Sequence, residues 1–340
     1  MNDLNFNLND YDYKLPKELI ANKAIIPKDN SKLLVINNDK LKHNKFYEII
    51  NYFKKDDILI LNNTKVLKNK LYGKKTTGAN LDIIIEDCED NYKNIYKCRV
   101  QTNYPKIGTV IKFENKLIGK IIDRENDLFL VEFNKSPNNT LKKFGKLPNP
   151  NYIRKQIENE SEYQTMYAKK MGSFAAPTSG LHFTKELLAK IKNKGVKIVY
   201  ITLHISFGTF KLIKEDKPIS EHIMDVENYF IPKKTAELIN KRKGRVIICG
   251  TTVFKALESS SNKYGIIKNG YNESNLFIYP GYKFNFKPDL MITNFHLPKS
   301  TLILFISAYF GKDVVLNAYK TAVKEKYRFF SLGDACLFIK

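Results

Sequence analysis

Apolar residues along the chain fall into two textures. In the first, short runs are apolar on both faces and end in polar turns: Lys32-Leu-Leu-Val-Ile36, Asp57-Ile-Leu-Ile-Leu61, Lys197–Ile205, Arg245-Val-Ile-Ile-Cys249 and Leu290-Met-Ile292. Such runs suit buried parallel strands. Helical spacing lies between them. Phe46, Ile49, Ile50 and Phe53 share one face, and residues 184–194 read as a helix capped by Thr184 with Gly195 past its end. Further helices are predicted over 235–243, 253–259 and 314–326, and Leu302–Phe310 forms another. Pro298 suits the first turn of that one, where its missing N–H has no partner to lose.

The second texture covers residues 67–150. Alternating runs at Leu81–Ile85, Tyr96–Val100, Thr109–Phe113, Lys120–Ile122 and Leu128–Phe133 are punctuated by Gly73, Gly78, Gly108 and Gly119. Several short strands at roughly 10-residue spacing predict a small β-barrel or sandwich. Leu147-Pro-Asn-Pro-Asn-Tyr152 closes the region as a linker. The expected fold is α/β: a mostly parallel sheet flanked by helices, built from 1–66 and 151–340, with a small β domain inserted at 67–150.

Composition narrows the class. Hydrophobic residues make up 43% of the 340, enough for a real core. The apolar stretch Leu302–Phe310 is far shorter than the roughly 20 residues of a membrane span, and Met1–Phe6 has neither the basic start nor the apolar core of a signal peptide. Cys88, Cys98, Cys249 and Cys336 include no CxxC pair, so neither a zinc knuckle nor a redox motif is indicated, and a reducing cytosol is expected. The net charge of +22 suits a polyanionic partner such as nucleic acid. A coding bias toward lysine, asparagine and isoleucine produces the same excess, so charge alone does not decide.

Five places share one grammar, a polar or glycine-rich turn at the end of an apolar strand or the start of a helix. They are Asn62-Asn63-Thr64; Ala175–Phe183 with Pro177, Thr178, Gly180 and His182; His204–Phe210 with Gly208 and Thr209; Gly250-Thr251-Thr252; and Thr293-Asn294-Phe295-His296. In open α/β sheets ligands sit at such strand ends. Four of the five histidines, His182, His204, His222 and His296, lie in or beside these turns, which points to a shared site. The four histidines are far apart and form no HxH or HExxH, so zinc is a minor alternative, and without GxSxG, GxxxxGK[ST] or GxGxxG neither a serine hydrolase, a P-loop nor a Rossmann dinucleotide site is indicated. The residues by themselves describe a histidine-bearing polar site suited to general acid–base work, with nucleic acid as a candidate partner.

The same residues carry a resemblance. Tyr13-Lys-Leu-Pro-Lys-Glu-Leu-Ile-Ala, Asp57–Val66, Ala175–Phe183, Leu203–Phe210, His222-Ile-Met, Gly250-Thr-Thr, Phe277-Ile-Tyr-Pro-Gly, Thr293–Leu302 and Tyr327–Ala335 stand in the order of the S-adenosylmethionine:tRNA ribosyltransferase-isomerase family of queuosine biosynthesis. The chain is similar to that family over nearly its whole length. The resemblance implies an α/β domain with an inserted β-barrel. It implies transfer and isomerisation of the ribosyl group of S-adenosylmethionine onto 7-aminomethyl-7-deazaguanine at the tRNA wobble position, giving epoxyqueuosine, adenine and methionine.

The tRNAs would be those with GUN anticodons, for aspartate, asparagine, histidine and tyrosine. The protein would be a cytoplasmic monomer with S-adenosylmethionine as co-substrate, no tightly bound cofactor and no membrane partner. His182, His204, His222, Asp225 and Glu227 become the acid–base candidates. The five turns, with Phe183, Tyr279, Pro280, Gly281, Arg328 and Asp334, become substrate-binding candidates. Some positions depart from the family pattern: Asp225 stands for a histidine, Ser206 for a glycine, Lys32, Lys65 and Lys255 for arginines, and Leu332 for a tyrosine. A divergent relative acting on another deazapurine or position, a tRNA-binding relative without catalysis, and a methyltransferase are the competing readings.

Overall fold

In the apolar runs, successive side chains are buried on opposite sides. Leu34, Ile36, Ile58, Ile60, Val246 and Ile248 belong to one core cluster, and Leu33, Val35, Leu59, Leu61, Ile247 and Cys249 to another. A strand buried on both faces needs cover on both. Here the cover consists of the helices Lys233–Asn240, Thr251–Ser260, Thr301–Phe310 and Lys312–Lys324 on the first side, with Lys185–Asn193 and the 3₁₀ helix Phe46–Tyr52 on the second. The computed structural model describes residues 6–38, 40–86, 93–101, 105–149, 153, 157, 159–207, 213 and 218–340.

The sheet has nine strands in the order Gly270–Ser274, Glu227–Ile231, Lys197–Leu203, Ile58–Asn62, Val246–Cys249, Leu290–Asn294, Ala335–Ile339, Lys32–Asn37 and Lys40–Lys45. The four strands from Lys197–Leu203 to Leu290–Asn294 run parallel. Both flanks contain antiparallel pairs, so the sheet is mixed rather than mostly parallel. The unexpected strands explain the difference. Lys40–Lys45 and Gly270–Ser274 are polar edge strands without an apolar signal, and Ala335–Ile339 is the last strand of the chain. Thr184 caps its helix as expected, its Oγ1 accepting from Leu187 N at 3.1 Å. Pro298 lies before its helix, whose N-cap is Ser300.

The chain separates into two compact units, 1–65 with 158–340, and 66–157. The second unit is a seven-stranded antiparallel sheet. Its outermost strands, Lys70–Leu71 and Lys74–Lys75, are separated in sequence only by Tyr72 and Gly73. The two edges are therefore drawn together and the sheet curls into a half-barrel around Leu81, Ile83, Ile111, Ile121 and Val131. Gly73 sits at the tight point, since a Cβ there would lie 2.5 Å from Ile111 and Phe113. The first unit, mixed α/β, carries the histidine-bearing turns.

Candidate active site

The four central parallel strands end at one edge of the sheet, and the polar turns gather there. Ala175–Ser179, Gly250–Thr252, Asn294–His296 and Phe330–Ser331 line a narrow cleft of about 60 Å³. Asn62 stitches its floor. Its Nδ2 donates to Leu203 O (3.0 Å) and Thr252 Oγ1 (3.3 Å), and its Oδ1 accepts from Leu203 N and Thr64 N. Asn63 accepts from Thr202 Oγ1 at 2.7 Å. The buried Asn62 amide satisfies strand ends that would otherwise leave polar backbone unpaired. Gly250 takes φ +93° as it turns from its strand into the helix Thr251–Ser260, a conformation that glycine adopts without a Cβ penalty. The first N–H groups of that helix have no partner within it and suit an anion.

The histidines reach this edge but open into different hollows. His296 is buried under the cleft. Its Nδ1 meets Tyr319 Oη at 3.2 Å, its Nε2 meets Thr293 Oγ1 at 3.3 Å, and its carbonyl accepts from Tyr13. His182 is buried against Phe46. Asn294 Nδ2, which also points at the carbonyls of Phe330 and Asp334, donates to His182 Nε2 at 3.2 Å. His182 Nδ1 therefore carries the proton, given to Ser31 Oγ at 2.8 Å. Burial pushes both imidazoles down to about 3, with the Arg328 and Lys28 charges adding to the effect at His182. They are neutral hydrogen-bonding groups at neutral pH.

His204 differs. It is only half-buried and lines a hollow of about 460 Å³. The Thr64 hydroxyl meets His204 Nδ1 at 2.7 Å and lies 3.5 Å from Lys170 O, so it can accept from an Nδ1–H tautomer while donating to that carbonyl. In that tautomer Nε2 carries the lone pair, and burial holds the imidazole below its ordinary pKa. The ring lies against Gly172, where a Cβ would come within 2.8 Å of it.

The Glu227 carboxylate is buried and shared. Oε2 takes Lys255 Nζ at 2.9 Å, and Oε1 accepts the Ser206 N–H at 3.0 Å. With Met224, Thr251, Thr252 and Phe277 it lines a small crevice around the helix start, and His222 packs on Phe277 with ring centroids 4.9 Å apart. Asp225 is half-buried beside them in sequence. Tyr279 packs on Phe277 and Phe6, and Pro280 and Gly281 form the turn after it. Thr178 and Gly180 form a 3₁₀ turn behind Pro177.

Phe183, by contrast, is core, edge-on to Phe46. The Arg328 guanidinium donates to Lys23 O and Leu332 O, and the buried Asp334 accepts from the backbone of Lys32 and Arg328, so both brace the 327–335 turn. Gly208, Thr209 and Phe210 lie outside the described residues. Among the described residues no three His, Cys, Asp or Glu side chains cluster as metal ligands, and no helix is long and apolar enough to cross a membrane.

Lys255, Tyr13 and Tyr319 were missed as site residues. An isolated lysine inside the apolar stretch Val253–Leu257 was the available signal for the first.

The model of the queuosine biosynthesis protein family matches residues 8–338. This chain belongs to that family. An S-adenosylmethionine:tRNA ribosyltransferase-isomerase of Francisella tularensis subsp. novicida (strain U112) is 42% identical over 336 residues, covering 96% of this chain and 98% of that protein. The protein of the same name from Desulforamulus reducens is 41% identical over 344 residues, covering 98% and 99%. A crystal structure of S-adenosylmethionine tRNA ribosyltransferase from Thermotoga maritima matches with a TM-score of 0.54 at 31% identity, over 97% of this chain and 100% of that one.

The buried neutral histidines set a pH dependence. Unfolded, each takes a proton near 6.5, but folded only near 3. Stability is therefore full above about pH 6.5 and is lost as pH falls, by up to about 1.4 kcal/mol per pH unit for each histidine. Asp334, pushed up by burial, acts in the opposite sense toward acid. Urea unfolding between about pH 7 and 5 should show the loss, and His296→Gln should reduce the slope by roughly half of the two-histidine contribution. A slope unchanged by that substitution would exclude His296 as a source.

Proposed function

We propose that this chain transfers and isomerises the ribosyl group of S-adenosylmethionine onto the aminomethyl nitrogen of 7-aminomethyl-7-deazaguanine at the wobble position of GUN-anticodon tRNAs. The products are epoxyqueuosine-tRNA, adenine and methionine. The observation that carries this reading is 41–42% identity over 96–98% of the chain to proteins named for S-adenosylmethionine:tRNA ribosyl transfer and isomerisation. We read the protein as a cytoplasmic monomer that uses S-adenosylmethionine as a co-substrate, without a metal. The discontinuous α/β unit, 1–65 with 158–340, is the catalytic one, and the unit 66–157 is the family's barrel.

The residues divide the work by their environments. The Gly250-Thr251-Thr252 turn is suited to the methionine carboxylate, because its free N–H groups and the helix dipole both favour an anion. The cleft beside it must widen, since about 60 Å³ holds only a few waters. The sulfonium acidifies the C5′ protons, and the attacking amine must be neutral. A half-buried imidazole with a free Nε2 can accept a proton in either step, which favours His204 over the fully bonded His182 and His296.

The test is incubation with S-adenosylmethionine and tRNA carrying the aminomethyl deazaguanine. Free adenine, methionine and epoxyqueuosine should appear in equal amounts. S-adenosylhomocysteine instead would mean methyl transfer, and tRNA binding without adenine release would mean a non-catalytic relative. Epoxyqueuosine absent while another modified base appears would mark a divergent substrate and make Asp225 and Ser206 the positions to revert.

A further inference from the structure

The hollow beside His204 has a wall that the proposed reaction has not yet used. Strand pairing aligns Thr202 with Phe230 and Phe230 with Tyr271, and in the next row Asn228 with Glu273, while His204 N–H bonds Asn228 O. Side chains two apart on a strand share a face. One face of three adjacent strands therefore presents two rows, Thr202–Phe230–Tyr271 and His204–Asn228–Glu273. Their opposite-facing neighbours Leu203, Tyr229 and Ile231 are in the core.

Tyr271 is 82% exposed yet ordered, its ring stacked on Phe230 at 4.2 Å and 27°. Asn228 and Glu273 are exposed, and Glu273 makes no ion pair among the described residues. Lys170 borders the same hollow. Its volume of about 460 Å³ lies within the roughly 300–1,000 Å³ of small-ligand sites.

We propose that this sheet face is the docking site for the unpaired wobble purine of the RNA substrate, stacked on Tyr271 and read at its Watson–Crick edge by Glu273. The inference rests on the reaction proposed above. Open sheet faces bearing aromatic side chains stack splayed-out RNA bases. A 7-deazaguanine presents N1–H and N2–H₂ donors on one side and its 7-substituent on the other. A base stacked on the free face of Tyr271 lies beside Glu273, two residues along the same edge strand and on the same face, so its two donors can meet the Glu273 carboxylate. Lys170 is positioned for a backbone phosphate. The acceptor Glu273 favours a guanine-type edge over adenine, whose Watson–Crick edge has an acceptor at N1.

The test is the affinity of the full-length protein for a synthetic anticodon stem-loop carrying 7-aminomethyl-7-deazaguanine at the wobble position, followed by fluorescence anisotropy, with adenine release measured in parallel. Base–aromatic stacking is worth about 1–3 kcal/mol, so Tyr271→Ala should weaken RNA binding about 5- to 150-fold, while Tyr271→Phe stays within about twofold of wild type. S-adenosylmethionine affinity should not change in either variant. On the same stem-loop made abasic at the wobble position, wild type and Tyr271→Ala should bind equally. Glu273→Ala should weaken binding of the deazaguanine RNA and narrow its preference over an adenine-bearing one.

Binding by Tyr271→Ala within about twofold of wild type would overturn the proposal, as would an equal loss on the abasic RNA. Wild type that binds the RNA but releases no adenine would sink the proposed reaction, leaving the docking site to be judged on the affinities alone. Wild type that does not bind the RNA would sink both.

Discussion

Lys255→Met is expected to destabilise the protein by about 3–5 kcal/mol, because it removes the cation that meets the buried Glu227 carboxylate at 2.9 Å. The two side chains are 7% and 4% exposed and meet at 2.9 Å, and the other carboxylate oxygen takes the Ser206 N–H. Removing both charges is a different experiment. Glu227→Gln with Lys255→Met replaces a desolvated pair by neutral groups and should recover most of the loss, since buried pairs are often near neutral overall against well-packed replacements. Urea unfolding of the two single variants and the double variant measures the coupling. Added salt should change it little, because buried pairs are poorly screened. A Lys255→Met loss below about 1 kcal/mol would show that the carboxylate relaxes toward water, well short of the penalty for an unpaired buried ion. The pair has a second consequence. It ties the strand Glu227–Ile231 to the helix behind Gly250-Thr251-Thr252 and to the turn after His204, so Lys255→Met should also lower activity in protein that remains folded.

Much of this site is legible in sequence because strand ends announce themselves. A run apolar on both faces must be an interior strand, and the polar residues that follow must lie at its rim. That logic places Asn62, Gly250 and Asn294 correctly at one edge. It fails for the flanks. Lys-Leu-Lys-His-Asn-Lys and Gly-Tyr-Asn-Glu-Ser carry no burial pattern, since an edge strand with an exposed face needs none, so the antiparallel pairs at the two sheet edges are invisible, while the apolar run Ala335–Ile339 does not announce that it pairs antiparallel with Leu290–Asn294.

The same limit hides the Phe230–Tyr271 stack, which exists only through strand pairing between segments far apart in sequence. The histidines show a third limit. Their position at strand ends is readable, but whether an imidazole is buried and doubly bonded, as His182 and His296 are, or open on one nitrogen, as His204 is, depends on what packs around it. The single shared histidine site that the sequence suggests becomes one sheet edge with separate hollows. Glu227 shows the gap again: a carboxylate near histidines reads as an acid–base group, yet the structure places it in an ion pair.

His204→Ala should lower the single-turnover rate of adenine release by about 10²–10⁴-fold, the usual worth of a positioned proton acceptor. The argument is comparative. Both ring nitrogens of His182 and of His296 are bonded, and burial holds each imidazole near 3, so neither is poised to exchange protons near neutrality. Among the described residues His204 bonds through Nδ1 alone, on Thr64, and burial holds its imidazole below the ordinary pKa. The acid limb of the rate profile should consequently lie below the ordinary imidazole value of about 6.5. Thr64→Val, which removes the hydroxyl that orients the ring, should cost less than His204→Ala, because the base remains but its tautomer is no longer fixed. Gly172→Ala should act in the same direction by pressing a methyl on the ring. A base is distinguished from a merely structural imidazole by rescue: added imidazole should partly restore His204→Ala and leave Thr64→Val unchanged. If His204→Ala retains more than about a tenth of the wild-type rate, the proton acceptor lies elsewhere, and His222, beside Phe277 and the helix start, is the next residue to remove.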